Sequence, residues 1–176
     1  VAAKSPALEI DEPRVYYGEG AKDYAIVNTS LDEFDHPVGE SNVTTRYEAE
    51  AGVPFGNALG RIAWAIRFGS DQIVFSDYLK TDSRVLMYRD VKQRAKRIAP
   101  WLSYDKKPYA AVVDGRIVWI LAAYTSSTHF PYSQPLDDGT NYLRNSVKVA
   151  VDAYTGDTRF YAIGDDPVRD AWAKIY

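Results

Sequence analysis

The sequence contains no cysteine, one methionine and only two histidines among its 176 residues. Without thiols the chain can form neither a disulfide nor a structural zinc site built from thiolates. No stretch approaches the roughly 18 consecutive apolar residues that a membrane-spanning helix needs. The net charge of −3 argues against a general nucleic-acid binder, because such domains carry a basic excess. We therefore expect no cofactor, no metal site and no nucleic-acid partner.

The composition is otherwise that of a folded globular chain, with 46% hydrophobic and 26% charged residues. Tyrosine is unusually frequent, with fourteen residues against six phenylalanines. Residues 1–13 contain two prolines and few large apolar side chains, which predicts an extended lead-in. We expect residues 14–176 to form a single domain. A chain that starts with Val1 instead of methionine also suggests a fragment of a larger soluble region.

Two hairpins dominate the predicted fold. Apolar runs at 109–113 and 116–124 flank Asp114-Gly115, a dipeptide that favours tight hairpin turns. A second pair of strands is expected at 147–154 and 158–163, whereas residues 29–52 look like a loop. Helices are expected at 57–68, 89–99 and 168–174. The sequence therefore predicts an α+β fold: a twisted antiparallel sheet of at least four strands with two or three helices on one face.

Two of these helices have unusual surfaces. The helix at 57–68 is apolar on both sides, which indicates that it is buried or packs against something outside this chain. The helix at 89–99 has one apolar side and one basic side, formed by Arg89, Lys92, Lys96 and Arg97. The basic side is either an ordinary solvated face or a surface for anionic lipid headgroups.

Catalytic patterns are weak in this sequence. Serines flank His129, but the G-x-S-x-G motif of a nucleophile elbow is absent. An enzyme acting on cell-envelope polymers would instead need two carboxylates in one cleft. Its candidate carboxylates are those of Asp35, Asp82, Asp90 and Asp152.

The strongest candidate binding region surrounds the long polar loop between the two hairpins, at about residues 125–142. Tyrosine, asparagine and serine offer directional hydrogen bonds, and arginine can clamp a carboxylate or phosphate. An alternative is that these polar side chains satisfy the backbone of their own loop. The predicted binding residues are Tyr124, Thr125, Ser126, Tyr132, Asn141, Tyr142, Arg144, Asn145 and Lys148.

Several segments of the chain, including this region, form a recognisable pattern. The densest segments are Asp114-Gly115-Arg116, Tyr124-Thr125-Ser126, Pro131-Tyr132-Ser133, residues 141–148 (Asn-Tyr-Leu-Arg-Asn-Ser-Val-Lys) and Val151-Asp152-Ala153-Tyr154. With this pattern the chain resembles a known family, the uncharacterised protein family 0182. The resemblance runs from about residue 13 to the end.

The resemblance implies a place in the cell but no reaction. Members of this family look like large bacterial proteins with several transmembrane helices and a large extracytoplasmic soluble part. We therefore expect a non-catalytic extracytoplasmic domain of an integral membrane protein that binds an envelope ligand or other segments of its parent protein. The alternatives are an enzyme acting on envelope polymers or lipids and a structural assembly domain.

Overall fold

The computed structural model describes residues 9–22 and 24–175. Strands and helices alternate irregularly along the chain, as in an α+β protein. The described elements, in chain order, are β1 (Tyr24–Val27), β2 (Glu33–Val38), β3 (Ser41–Thr45), β4 (Val53–Pro54), α1 (Ala58–Phe68), α2 (Gln72–Phe75), β5 (Arg84–Met87), α3 (Val91–Ile98), β6 (Ser103–Tyr104), β7 (Tyr109–Val113), β8 (Arg116–Ser127), β9 (Tyr142–Asp152), β10 (Thr158–Ala162) and α4 (Pro167–Ala173).

The chain groups into two compact units. The first contains the residues up to Ala21 and those from Asp90 onward, and the second contains Lys22–Arg89. Residues 1–8 of the predicted lead-in lie outside the described residues. Glu12, near its end, bridges to Arg116 of β8. The single domain expected for residues 14–176 stays a prediction.

The first unit contains the expected antiparallel sheet. Its five strands follow the order β10-β9-β8-β6, with β7 also paired to β8. The β7–β8 hairpin turns at Asp114 and Gly115, whose φ angles are 49° and 71°. Both are positive, as a tight hairpin turn requires. The predicted α+β class, the antiparallel sheet and both hairpins are confirmed.

One face of this sheet packs against α3 and α4. The buried side chains on this inner face include Leu121 of β8 and Val149 of β9. Val91 and Ala95 of α3 are also buried. A groove of about 440 Å³ lies between the two helices and is lined by residues of α3, α4, β9 and β10. Both helices therefore lie on the same side of the sheet, as the sequence predicts.

The second unit has a separate core. Strands β1, β5 and β4 form a three-stranded antiparallel sheet. Its core cluster consists of Phe55, Ala65, Ile73, Leu79 and Val85.

The expectation of a loop over residues 29–52 is wrong, because β2 and β3 form an antiparallel hairpin there. Gly39 has a φ of 61° at the tip of this hairpin. No residue of β2 or β3 is buried. The apolar alternation that marks a half-buried strand is consequently missing from the sequence.

Candidate functional site

The predicted binding residues lie mainly where β8 ends and β9 begins. Thr125 pairs with Arg144 and Ser127 with Tyr142 across these antiparallel strands. The register shifts between Ala123 and Thr125. A β-bulge of this kind bends the strand pair and redirects the side chains beyond it.

Thr125 and Tyr142 contact a buried carboxylate instead of solvent. Asp166 is fully buried and caps the N-terminus of α4, with its Oδ1 accepting two backbone N–H groups at 2.9 and 3.2 Å. The Tyr142 hydroxyl donates to the same oxygen at 2.8 Å. The Thr125 hydroxyl donates to Oδ2 and lies 3.2 Å from the Ser146 hydroxyl. These four residues form the Asp166 cluster, which joins the sheet to α4.

Hydrogen bonding keeps this carboxylate ionised. Burial by itself would raise the pKa of Asp166. The hydrogen bonds from Ser146, Thr125 and Tyr142 outweigh burial and hold the pKa well below its usual range. The same contact, together with burial, raises the pKa of the Tyr142 phenol. The cluster therefore holds a charged carboxylate and a neutral tyrosine at neutral pH.

Asn141 holds the long loop together. Its Oδ1 accepts from the Phe130 backbone N–H at 2.9 Å, and its Nδ2 donates to the Phe130 carbonyl at 2.9 Å. Nδ2 also lies 3.3 Å from the carbonyl oxygen of Ser133. Tyr132, by contrast, is fully exposed and has a φ of 58°. Asn141 thus satisfies backbone hydrogen-bonding groups of its own loop, which is the alternative to ligand binding that the sequence left open for these polar residues.

Of the other predicted binding residues, Arg144 interacts with the Tyr142 phenol, where its positive charge and hydrogen bond act to lower the pKa of that phenol. Ser126, Arg144 and Asn145 are exposed, whereas Tyr124 and Lys148 are partly buried. A hydrogen bond with Asp105 raises the pKa of the Tyr124 phenol. The sequence-predicted set therefore divides into residues used in internal hydrogen bonds and residues exposed along the strand ends. Their role in binding stays a prediction.

The predicted basic surface lies partly on α3. The helix begins after its cap residue Asp90, so Arg89 precedes it and belongs to the other compact unit. Lys96 and Arg97 are exposed and Lys92 is partly buried. These three cations lie on the helix.

The outer face of the five-stranded sheet carries a second candidate site that the sequence reasoning missed. Side chains alternate between the two faces of a sheet along each strand. Val118 and Ile120 therefore lie on the outer face, whereas Leu121 lies on the inner face. The register places Ala150 of β9 beside Ile120. All three apolar side chains are only partly buried. They line a concave surface with a volume of about 460 Å³; we call it the open face.

Charged and aromatic residues border this open face. Arg116 and Asp152 form an ion pair, in which Nε lies 2.9 Å from Oδ2 and Nη2 lies 3.0 Å from Oδ1. Asp152 also accepts the backbone N–H groups of the turn after β9 at 2.9 and 2.8 Å, which fixes its position. Arg159 is exposed and Tyr161 is about half exposed. The site therefore combines an apolar floor with a border of both charges.

One sequence signal could have revealed the open face. Positions 117–123 of β8 read Ile-Val-Trp-Ile-Leu-Ala-Ala, which is apolar at both odd and even positions. A strand that covers a core on one side and meets water on the other alternates apolar with polar residues. A strand apolar on both sides is expected to be covered on both faces.

Each of the carboxylates proposed for an enzyme has a polar partner in the structure. Asp90 caps α3 through the Gln93 N–H at 2.8 Å, and Asp152 pairs with Arg116. Asp82 accepts from the Asn28 side chain at 3.3 Å, and Asp35 lies 3.2 Å from the His36 ring. Within residues 9–22 and 24–175, no group of three or more acidic or histidine side chains is arranged to hold a metal.

No helix in the described part of the chain is both long and apolar enough to cross a membrane. No solved structure matches this chain.

Comparison with known sequences identifies relatives over nearly the whole chain. A "UPF0182 protein" of Methanospirillum hungatei is 45% identical over 97% of this chain. Proteins of the same description from Pelotomaculum thermopropionicum and Cupriavidus necator are 44% and 45% identical over 96% and 95% of it. The chain spans only about one fifth of the length of each relative. The profile of the Uncharacterised protein family (UPF0182) matches residues 2–176. The chain therefore belongs to this family.

Proposed function

We propose that this chain is a non-catalytic binding segment of an integral membrane protein, located on its extracytoplasmic side, and that it binds its partner on the open face. The observation that carries the proposal is the apolar character of that face. An antiparallel sheet that meets water on one side normally presents polar residues there. Val118, Ile120 and Ala150 occupy those positions here.

A partner bound over the open face would remove apolar surface from water and so contribute a favourable free energy of binding. Burial of apolar surface contributes roughly 25 cal/mol for each Å² removed from water. Ligand sites are typically concave, mostly apolar and bordered by a few fixed polar groups. The ion pair of Arg116 with Asp152 supplies such a fixed group, and the edge also carries Arg159 and the carboxylates of Asp114 and Asp157. The partner that fits best has an apolar surface bordered by polar or charged groups of both signs.

The proposed location is supported by sequence relationships. The family resemblance points to proteins with several transmembrane helices and a soluble extracytoplasmic part. The relatives are about five times as long as this chain, which leaves ample length for such helices.

A single cysteine at the loop tip provides the test of location. In the longer Methanospirillum hungatei relative, a cysteine at the position aligned with Tyr132 should react with a membrane-impermeant maleimide added to intact cells. Reaction only after lysis would place the segment on the other side of the membrane.

The binding surface can be tested by comparing cysteine reactivity in two settings. The 176-residue chain has no cysteine, so Arg159→Cys and Gln134→Cys each introduce one thiol, on the open face and at an exposed position of the long loop respectively. Both should react with maleimide at similar rates in the isolated chain. At the aligned positions of a cysteine-free form of the longer relative in native membranes, the thiol at 159 should react at least tenfold more slowly, while the thiol at 134 keeps its rate. Equal rates at 159 in both settings would contradict binding on the open face.

A further inference from the structure

Helix α1, in the second compact unit, has an exposed apolar stripe of its own. Leu59, Ile62 and Ile66 are 74%, 44% and 77% exposed. Their spacing of three and four residues places them on one side of the helix. The other side packs on the core of the same unit through the buried Ala65 and the partly buried Trp64. We call the three exposed residues the α1 stripe.

The α1 helix is held firmly at both ends, so this exposure does not arise from fraying. The Asn57 side chain accepts the Gly60 N–H at 3.2 Å at the N-terminus. Gly69 adopts the left-handed conformation at the C-terminus, and its N–H bonds to carbonyls of the last turn. This arrangement is a stable helix terminus. The stripe is consequently a fixed surface whose shape a partner can match.

The charges around α1 favour an apolar partner over a lipid surface. Interfacial helices usually carry lysine or arginine that reaches lipid phosphates. The two arginines of α1 are directed elsewhere: Arg61 donates to the Ser76 and Leu79 carbonyls. Arg67 lies 3.5 Å from the Tyr88 hydroxyl. The spacing of the stripe instead matches the ridges that pack between neighbouring helices.

The size of the stripe favours a partner from the same polypeptide. Its three side chains expose on the order of 400 Å², about half of what each partner buries in a typical stable complex. A second copy held by this stripe alone would dissociate. A segment tethered in the same polypeptide needs far less area, because its effective concentration reaches the millimolar range. The family relatives supply that tether, since this chain spans about one fifth of their length.

We propose that, in the longer family protein, an apolar helix from another part of the same polypeptide packs against the α1 stripe. This contact is independent of the open face, which belongs to the other compact unit. It would fasten the second unit to the remainder of the protein. The contact also explains why α1 is apolar on both sides, because one side packs on the core of its own unit and the other side packs on the added helix.

A paired substitution tests whether the stripe is used. The double variant Leu59→Gln and Ile66→Gln should leave the melting temperature of the isolated 176-residue chain within about 2 °C, since both side chains are mostly exposed and glutamine favours helix. The same changes at the aligned positions of the longer relative should lower its melting temperature by at least 5 °C. Leu31→Gln is the matched control, because Leu31 is 55% exposed but lies outside the stripe. An unchanged melting temperature of the longer protein would overturn the proposal.

Photo-crosslinking identifies the occupant. The longer relative carries p-benzoylphenylalanine at the position aligned with Ile62, or at that of the exposed hairpin residue Glu40 as a control. We expect irradiation in membranes to give a crosslink from position 62 only, at monomer mass, joining two peptides of one polypeptide in mass spectrometry. A band of double mass, an adduct of lipid mass, a crosslink to another protein or no crosslink would each overturn the proposal.

Discussion

The turn between β9 and β10 offers the most stringent test of the packing described above. Gly156 lies in this turn with a φ of 74°. A Cβ at this position would lie 2.5 Å from Cζ of Tyr17 and 2.7 Å from both Cε atoms. Real Cβ atoms do not approach other atoms so closely, so Gly156→Ala forces either the turn or the ring to move.

Neither group can move easily. The backbone N–H of Tyr17 donates to the Ala153 carbonyl at 2.8 Å, and its carbonyl accepts the Trp119 indole N–H at 2.9 Å. The Arg94 guanidinium lies 4.8 Å from the centre of the Tyr17 ring. Arg94 Nε also donates to the Gly156 carbonyl at 2.7 Å. The ring and the turn are therefore held by the same arginine.

The expected cost of Gly156→Ala has two parts. An alanine in the left-handed conformation costs about 1 to 2 kcal/mol. Overpacking against the fixed ring adds about 1 to 3 kcal/mol. Gly139 separates the two parts, because its φ is 82° but nothing lies within 4 Å of its Cβ position. We expect Gly139→Ala to lower the free energy of unfolding by about 1 kcal/mol and Gly156→Ala by about 3 kcal/mol.

Urea unfolding followed by tryptophan fluorescence measures both variants. A Trp64→Phe background is used throughout, because Trp64 lies in the other compact unit. The three remaining tryptophans then report the unit that holds Gly156, and an unchanged slope with urea shows that only stability differs. Equal losses in the Gly156 and Gly139 variants would refute the steric argument. In a Tyr17→Leu background, which shortens the obstructing side chain, the additional cost at Gly156 should disappear.

Two further predictions concern the region around the long loop. The lowered pKa of Asp166 means that its contribution to stability is present at neutral pH and is lost as pH falls below about 4, the pKa of an unfolded aspartate. Thermal melts of Asp166→Asn should accordingly show a lower melting temperature at pH 7 and a weaker loss between pH 5 and pH 3 than the original chain; parallel pH profiles would contradict this. Asn141→Asp keeps the acceptor for the Phe130 N–H but replaces the donor to the Phe130 and Ser133 carbonyls. Hydrogen exchange at residues 128–140 should therefore become at least tenfold faster in that variant while β8 stays protected, and unchanged exchange in the loop would show that Asn141 does not hold it.

The elements with local chemical signals were predictable from the sequence. Asp114-Gly115 turns the β7–β8 hairpin because both residues can adopt positive φ. Gly69 ends α1 for the same reason. Asp166-Pro167 begins α4, where the aspartate accepts the first N–H groups and proline needs no hydrogen bond. Each of these signals acts within a few residues of chain, so no knowledge of the tertiary structure is required.

The candidate site depended on contacts that local sequence does not encode. Asp166 could be predicted as a helix cap, but its partner Thr125 lies 41 residues earlier and Tyr142 lies 24 residues earlier. Sequence patterns could name polar residues near the loop but could not distinguish those that bond internally from those that face solvent. The open face was missed for a related reason. Val118 and Ile120 look like ordinary core residues until the register places them beside Asp152 and Ala150 on the outer face, where they stay only partly buried.

The first compact unit is built from two separate stretches of chain, and this has a consequence for biosynthesis. Gly20 N–H donates to the Asp90 carboxylate at 2.8 Å, and Val91 N–H lies 3.3 Å from the Gly18 carbonyl oxygen. The point where the chain leaves this unit is thus adjacent to the point where it returns, with Lys22–Arg89 inserted between them. During translation, Tyr17 emerges from the ribosome long before Ala153 and Gly156, its partners in the finished structure. The inserted unit can therefore fold its own core first, whereas the first unit cannot complete its core until the β9–β10 hairpin has been synthesised.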